Sequence, residues 1–248
     1  MKYKALICDV DGTLIPNTMT GEPSERVKHA IKQAKEKIRI GIATARSFPQ
    51  ANYLIEEFVL NAPCIITSGA QMYDPVQKIF YSEKLLSLQQ VWQIYALARE
   101  MEVELIIADM FGESPLTTNY QPNKPFDVYT KPLPEKKGDV FMRRVSLLKN
   151  LSVHKTLSRE GHDLVHITVA HPEATKQHGI LAIAEFLKIS THEIIGIGEG
   201  YNDFPLLMAC GLKVAMGNAV EDVKAIADYI APTVEEDGVA DVIEKFVL

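Results

Sequence analysis

The chain has 248 residues, 47% of them hydrophobic, which suffices for a sizeable core in one large domain or in a main domain carrying a smaller insertion, and argues against disorder. A formal net charge of −6 gives no general attraction to nucleic acid or to an anionic membrane surface, so neither is an expected partner. No stretch approaches the roughly 18 apolar residues of a membrane span, the N-terminal apolar run is too short for a signal-peptide core, and Cys8, Cys64 and Cys210 lack paired-ligand spacing, so the expected compartment is a reducing cytoplasm.

In chain order, Tyr3 to Cys8 is a short apolar run that stops at carboxylates, as a buried strand does when it delivers polar groups at its C-terminal end. Ser24 to Lys37 places Val27, Ala30, Ile31 and Ala34 at helical spacing, with Ser24 as the cap. Ile38 to Ala43 and Cys64 to Thr67 read as strands flanking a helix at Phe48 to Leu60, an alternation that predicts a parallel sheet. From Ser82 to Ala170 the character changes. This segment is rich in proline between Pro115 and Pro134, carries strands such as Val103 to Ala108 and Leu164 to Val169, and reads as an inserted α+β module. The first rhythm then returns, with helices at Thr175 to Leu187, Asp203 to Cys210 and Val220 to Ala227 and strands at Glu193 to Ile197 and Leu212 to Met216.

Ligands of an open parallel sheet sit beyond the carboxyl ends of its strands, which directs attention to Asp9-Val10-Asp11-Gly12-Thr13, to Thr44-Ala45-Arg46, to Lys176 and to Gly198 through Asp203. Two carboxylates one residue apart at a strand end, followed by Gly12 for a sharp turn, suit a hard divalent cation of the Mg²⁺ kind, and Glu199 or Asp203 would add a third carboxylate. With a cation and a lysine to screen the charge, one aspartate can attack phosphorus while the other protonates the leaving oxygen and later activates water. The Thr44 hydroxyl, its neighbouring backbone donors and Lys176 can hold the non-bridging phosphoryl oxygens.

DVDGT at Asp9 to Thr13, the threonine of IATAR at Thr44, Lys176 and GEGYND at Gly198 to Asp203 together resemble the haloacid dehalogenase-like superfamily in kind and order. AMGNA at Ala215 to Ala219 and DGVA at Asp237 to Ala240 resemble its Cof-type phosphatase branch. The resemblance implies a three-layer α/β core with a Rossmann-like parallel sheet, built from residues 1–81 and 171–248, and an inserted α+β cap at 82–170 that closes over the site. It implies Asp9 as nucleophile, Asp11 as acid/base and, through its backbone carbonyl, as a metal ligand. Thr44, Ala45, Lys176 and Asn202 fall on the phosphate, Asp9, Asp11 and Glu199 on Mg²⁺, and Gly12, Arg46 and Asp203 in support. Glu199 departs from the aspartate usual at its position, Gln177 replaces the glycine usual after the lysine, and Ala45 stands where glycine is common. The implied activity is Mg²⁺-dependent hydrolysis of a small phosphorylated metabolite, a sugar phosphate, through an aspartyl-phosphate. The alternatives are a sugar phosphomutase of similar fold and a non-catalytic phosphometabolite-binding protein. Specificity is expected from the cap, in loops around Gly112 to Thr117 and Pro122 to Thr130.

Each motif also has a local reading. Asp and Gly favour surface turns, Thr44 could cap a helix, Lys176 could be a solvated helix-end charge, and Glu199 could complement a helix dipole. Arg46 either touches substrate or pairs with a neighbouring acid. Gly196 to Gly200 misses the GxGxxG spacing of a dinucleotide loop, and no P-loop occurs. His162 and His166 lie in a predicted strand, where they are too far apart to act as paired ligands, and alternation turns Cys8 away from Asp9 as a small buried residue.

Overall fold

The computed structural model describes residues 2–17, 21–158, 161 and 163–248; His162 lies outside them. Strand β1 (Ala5–Cys8) is buried along its whole length, as a central strand covered on both faces must be. In helix α1 (Glu25–Ala34) the Ser24 side chain accepts from the Val27 amide, and Val27, Ala30, Ile31 and Ala34 form the buried face. Strand β2 (Arg39–Ile42) and helix α2 (Phe48–Glu57) follow. Helix α2 stops short of the predicted Leu60 because Val59 takes a left-handed φ of 47°, which breaks the helical bonding. Strands β3 (Cys64–Ile66), β4 (Gln71–Asp74) and β5 (Ile79–Glu83) form an antiparallel sheet that the sequence did not announce, tied to the end of β2 by a bridge between Ala43 and Ile65.

Next come helix α3 (Leu88–Glu100), strands β6 (Leu105–Asp109), β7 (Gly112–Pro115), β8 (Asp127–Thr130) and β9 (Leu133–Pro134), helix α4 (Glu135–Val145), and strands β10 (Ser152–Leu157) and β11 (Leu164–Ala170). Strand β6 starts later than the predicted Val103 because the Val103 amide still donates to the Ala98 carbonyl at the end of α3. The strands form an antiparallel sheet in the order β10-β11-β8-β6-β7, with β9 beside β11. Two stretches expected as loops, around Gly112 to Thr117 and Pro122 to Thr130, therefore contain strands β7 and β8. Their short runs and intervening prolines hide the pairing from a sequence reading.

The last part contains helix α5 (Lys176–Leu187), strand β12 (Ile194–Gly198), helix α6 (Phe204–Ala209), strand β13 (Leu212–Ala215), helix α7 (Glu221–Ile226), strand β14 (Tyr229–Ile230) and helix α8 (Gly238–Phe246). Strands β14-β13-β12-β1-β2 make a wholly parallel sheet in that order. Alternation along β1 sends Leu6 and Cys8 into one apolar layer with Ile31 of α1, Leu54 of α2 and Ile243 of α8. Ala5 and Ile7 enter the opposite layer with Ile180 and Ile183 of α5 and Leu206 of α6. This is the expected three-layer α/β core, accompanied by the antiparallel α+β part. No helix among the described residues is long and apolar enough to cross a membrane.

At the carboxyl end of the parallel sheet the Asp9 amide donates to the Ile197 carbonyl at 2.9 Å and the Ala43 amide to the Cys8 carbonyl at 2.9 Å. The exits of β12, β1 and β2 are thus adjacent, and residues from three distant parts of the chain emerge side by side.

Candidate active site

Asp9 leaves β1 with its side chain buried, 5% exposed. Lys176, the first residue of α5, lies with Nζ 2.6 Å from Asp9 Oδ1 and 2.6 Å from Asp203 Oδ1. At 2% exposure it is no solvated helix-end charge. A lysine at a helix N-terminus opposes the dipole, and burial also acts against its charge. Asp203 and Asp9 outweigh both and hold its pKa above the ordinary lysine value. Asp203 spends its other oxygen on the amides of Glu199, at 2.9 Å, and Gly200, at 3.0 Å, so it anchors the loop after β12 to the lysine. Gly198 permits this closeness, since a Cβ there would lie 2.4 Å from that of Asp203.

Glu199 joins the same cluster. Asp9, Glu199 and Asp203 can each offer a ligand oxygen within 4.8 Å of the others. Burial, then Asp203, pushes the Asp9 pKa above the usual carboxylate range; burial, then Asp9 and Asp203, pushes Glu199 up to about 8. Three carboxyls facing one ammonium are short of positive charge, and a purely oxygen donor set of this kind fits a hard divalent cation. The extra methylene of Glu199 is accommodated by Gly12, where a Cβ would meet Glu199 Cγ and Cδ at 3.2 Å and where φ is +78°.

The Asp11 side chain turns elsewhere. Arg46 grips it with two bonds, Nε to Oδ2 at 3.0 Å and Nη2 to Oδ1 at 2.7 Å, which answers the choice left open for Arg46 in favour of pairing with an acid. Arg46 Nη1 is itself 3.3 Å from the Tyr53 hydroxyl and 3.4 Å from the Gln50 carbonyl. Thr44 is fully buried and its hydroxyl accepts from the Arg46 amide at 3.0 Å; the residue capping α2 is Ser47, so Thr44 is not a helix cap. Ala45 is exposed at the strand exit. Asn202 lines a small cavity together with Lys176, Ser68, His154 and Pro205. Cys8 is buried away from this group, and burial pushes its thiol well up, which makes it unfit as a nucleophile. His166 belongs to β11 and its Nδ1 lies 2.8 Å from the Thr130 carbonyl.

Three further residues bear on the site without having been singled out. Asn218 donates to the Gly12 carbonyl at 2.8 Å and accepts from the Val234 amide at 3.0 Å, clamping the turn after β1. Ser68 follows β3 with a left-handed φ of 56°, next to Thr67 at 50°, in a strained link held by amide bonds to the Thr44 and Arg46 carbonyls. The strand-end rule could have found Ser68, had the exit of β3 been counted with the others. His154 comes from β10, and no sequence pattern announces its approach to Lys176.

A family profile described as haloacid dehalogenase-like hydrolase matches residues 6–243. A 5-amino-6-(5-phospho-D-ribitylamino)uracil phosphatase of Bacillus subtilis is 27% identical over 252 residues, 99% of this chain and 96% of its own length. A phosphoglycolate phosphatase of Saccharolobus solfataricus is 25% identical over 98% of this chain and 95% of its own. Among solved structures, a phosphatase of the haloalkanoate superfamily from Bacteroides thetaiotaomicron aligns with a TM-score of 0.82 at 25% identity, covering 98% of this chain and 95% of that one.

Proposed function

Because this chain belongs to the haloacid dehalogenase-like hydrolase family, in its Cof-type branch, and is a phosphatase, we propose that it hydrolyses small phosphate monoesters, sugar phosphates foremost, through an aspartyl-phosphate on Asp9 with Mg²⁺ as cofactor. The observation that carries this reading is Lys176, buried between Asp9 and Asp203 with Glu199 alongside. No purely structural need explains so many buried charges at a strand exit, and perturbed carboxyls of this kind cluster at catalytic sites.

In the first step an Asp9 carboxylate oxygen bonds to phosphorus as the bond to the ester oxygen breaks, and Asp11 gives its proton to the departing oxygen. In the second, Asp11 takes a proton from water, the water oxygen attacks the same phosphorus, and the Asp9 carboxylate is released with phosphate. Arg46 holds both Asp11 oxygens in the structure, so Asp11 leaves this pair to give and take its proton at the reacting oxygens. Lys176, Thr44, the Ala45 amide and Asn202 hold the non-bridging oxygens, and Asp203 fixes Lys176. Asp9, Glu199 and the Asp11 carbonyl would hold Mg²⁺, which when bound neutralises charge between the carboxylates and the phosphate. Residues 82–170 act as the cap that excludes bulk water. The two relatives differ in what they act on, one a phosphorylated ribityl compound and the other phosphoglycolate, and both fall within the class of small monoesters.

The test is phosphate release from p-nitrophenyl phosphate and a panel of sugar phosphates, with Mg²⁺ or with EDTA, for the wild type beside Asp9→Asn. Release that needs Mg²⁺ and vanishes in Asp9→Asn is the expected result. Activity surviving in Asp9→Asn would overturn the mechanism, and label moving between hydroxyls of one sugar without release would make the enzyme a mutase.

A further inference from the structure

Between β3 and β4 the backbone takes three left-handed residues in a row, Thr67 at a φ of +50°, Ser68 at +56° and Gly69 at +111°. Two of them carry side chains, which is costly, and such links persist only where their surroundings fix them. This one is fixed from both sides. The Thr67 amide donates to the Arg46 carbonyl at 3.0 Å and the Ser68 amide to the Thr44 carbonyl at 2.9 Å, which ties the link to the exit of β2. On its other side Gly69 lies against Thr175, the cap of α5, where a Cβ would come within 2.5 Å of the Thr175 carbonyl oxygen. The link is thus wedged between the two elements that present Thr44 and Lys176.

Its consequence is the position of one hydroxyl. Ser68 lines the small cavity with Lys176, Asn202, His154 and Pro205, and the cavity encloses about 10 Å³, close to the room that a single water-sized oxygen occupies. The Lys176 ammonium has three protons and spends two of them, on Asp9 and Asp203. Among the described residues, the Ser68 hydroxyl and the Asn202 side-chain amide have no hydrogen-bond partner. His154 is engaged through Nε2 with Ser152 Oγ at 2.7 Å. Three donors therefore border an oxygen-sized space that no carboxylate lines, and an anionic oxygen is the acceptor that suits all three.

We propose that Ser68 is a further catalytic residue: its hydroxyl, together with Lys176 and Asn202, seats one non-bridging oxygen of the transferring phosphoryl group. The proposal rests on the phosphatase reading and adds to it a phosphate ligand from the exit of β3. No bond is made or broken at Ser68; its hydroxyl only donates. Every monoester carries the same phosphoryl oxygens, and so does the released phosphate, so the contribution is the same whatever the leaving group.

The experiment measures inorganic phosphate binding by calorimetry in the presence of Mg²⁺, and kcat/KM for p-nitrophenyl phosphate, glycerol 3-phosphate and glucose 6-phosphate, in the wild type, Ser68→Ala and Ser68→Gly. Both variants lack the hydroxyl. Ser68→Gly also relieves the left-handed strain, so it keeps the comparison open should Ser68→Ala fail to fold. The expected result is phosphate binding weakened at least about fivefold in both variants and kcat/KM lowered by a like factor for all three esters, as the loss of a hydrogen bond to a charged oxygen requires. The melting temperature of Ser68→Gly should be no lower than that of the wild type. Phosphate binding unchanged in Ser68→Gly, or a loss of kcat/KM confined to one leaving group, overturns the role of Ser68 while the phosphatase reading stands. Absence of Mg²⁺-dependent release even from p-nitrophenyl phosphate by the wild type overturns the phosphatase reading itself.

Discussion

Lys176 is the residue on which the site's electrostatics turn, because its one positive charge serves two buried carboxylates. Removing one partner of such a group leaves its opposite buried and unpaired, so Lys176→Met is expected to lose phosphatase activity and about 3–5 kcal/mol of stability in urea unfolding. Unchanged stability would mean that Asp9 and Asp203 do not depend on it. Asp127 gives a prediction of pH dependence. Its carboxyl titrates at an ordinary 3.8 when unfolded and at about 8 in the folded chain, where burial, then Glu113, raises it, so the folded state binds the proton more tightly. A raised carboxyl pKa contributes stability that is fully present below pH 3.8 and is lost as pH rises to 8, by up to about 1.4 kcal/mol per unit. Asp127→Asn has no proton to lose, so its unfolding free energy should show a shallower fall with pH than the wild type between about 5 and 8.

At the scale of elements, the site depends on turns held by single side chains. The Asp11-Gly12 turn is clamped by Asn218, which lies after β13 and reaches both the Gly12 carbonyl and the Val234 amide. Asn218→Ala leaves both groups without that partner, at a cost of about 1–3 kcal/mol each where they stay buried. Both the melting temperature and turnover should fall, because the turn that carries Asp11 loosens. Ser24→Ala provides the contrast. It removes the cap of α1, a helix that supplies no side chain to the site, and should cost about 1 kcal/mol with turnover unchanged. If both variants lowered turnover alike, the clamp would have no special part in the site.

At the scale of the whole molecule, the apolar core around the parallel sheet and the one beneath α3 and α4 are separate clusters, and the small cavity beside Lys176 draws residues from both sides: Ser68, Lys176 and Asn202 from one, His154 from the other. A cation bound to the folded state and not to the unfolded chain stabilises by mass action, about 2.7 kcal/mol at a hundredfold excess over its dissociation constant. Mg²⁺ should therefore raise the melting temperature of the wild type in a concentration-dependent way, and Glu199→Ala should blunt the rise. An equal rise in Glu199→Ala would remove that residue from the metal set.

The sequence alone determined the parallel-sheet rhythm and the cap of α1 at Ser24, and it singled out Asp9, Lys176, Glu199 and Asp203 as candidates. Each of these is written in local signals: apolar runs that end at carboxylates, a serine before a helical stripe, a glycine where the chain must turn. Only the tertiary structure decided that Lys176 is buried between two carboxylates, since its partners lie 167 and 27 residues away. It likewise decided that Arg46 grips Asp11, 35 residues distant, and that β7 and β8 are strands facing the site. Pairing between remote segments depends on how layers stack and which strands become neighbours, and a run of residues carries no local record of either. His154 shows the limit most clearly: neither its strand nor the face that meets Lys176 was marked in the sequence, and that face existed only once the two sheets had been brought together.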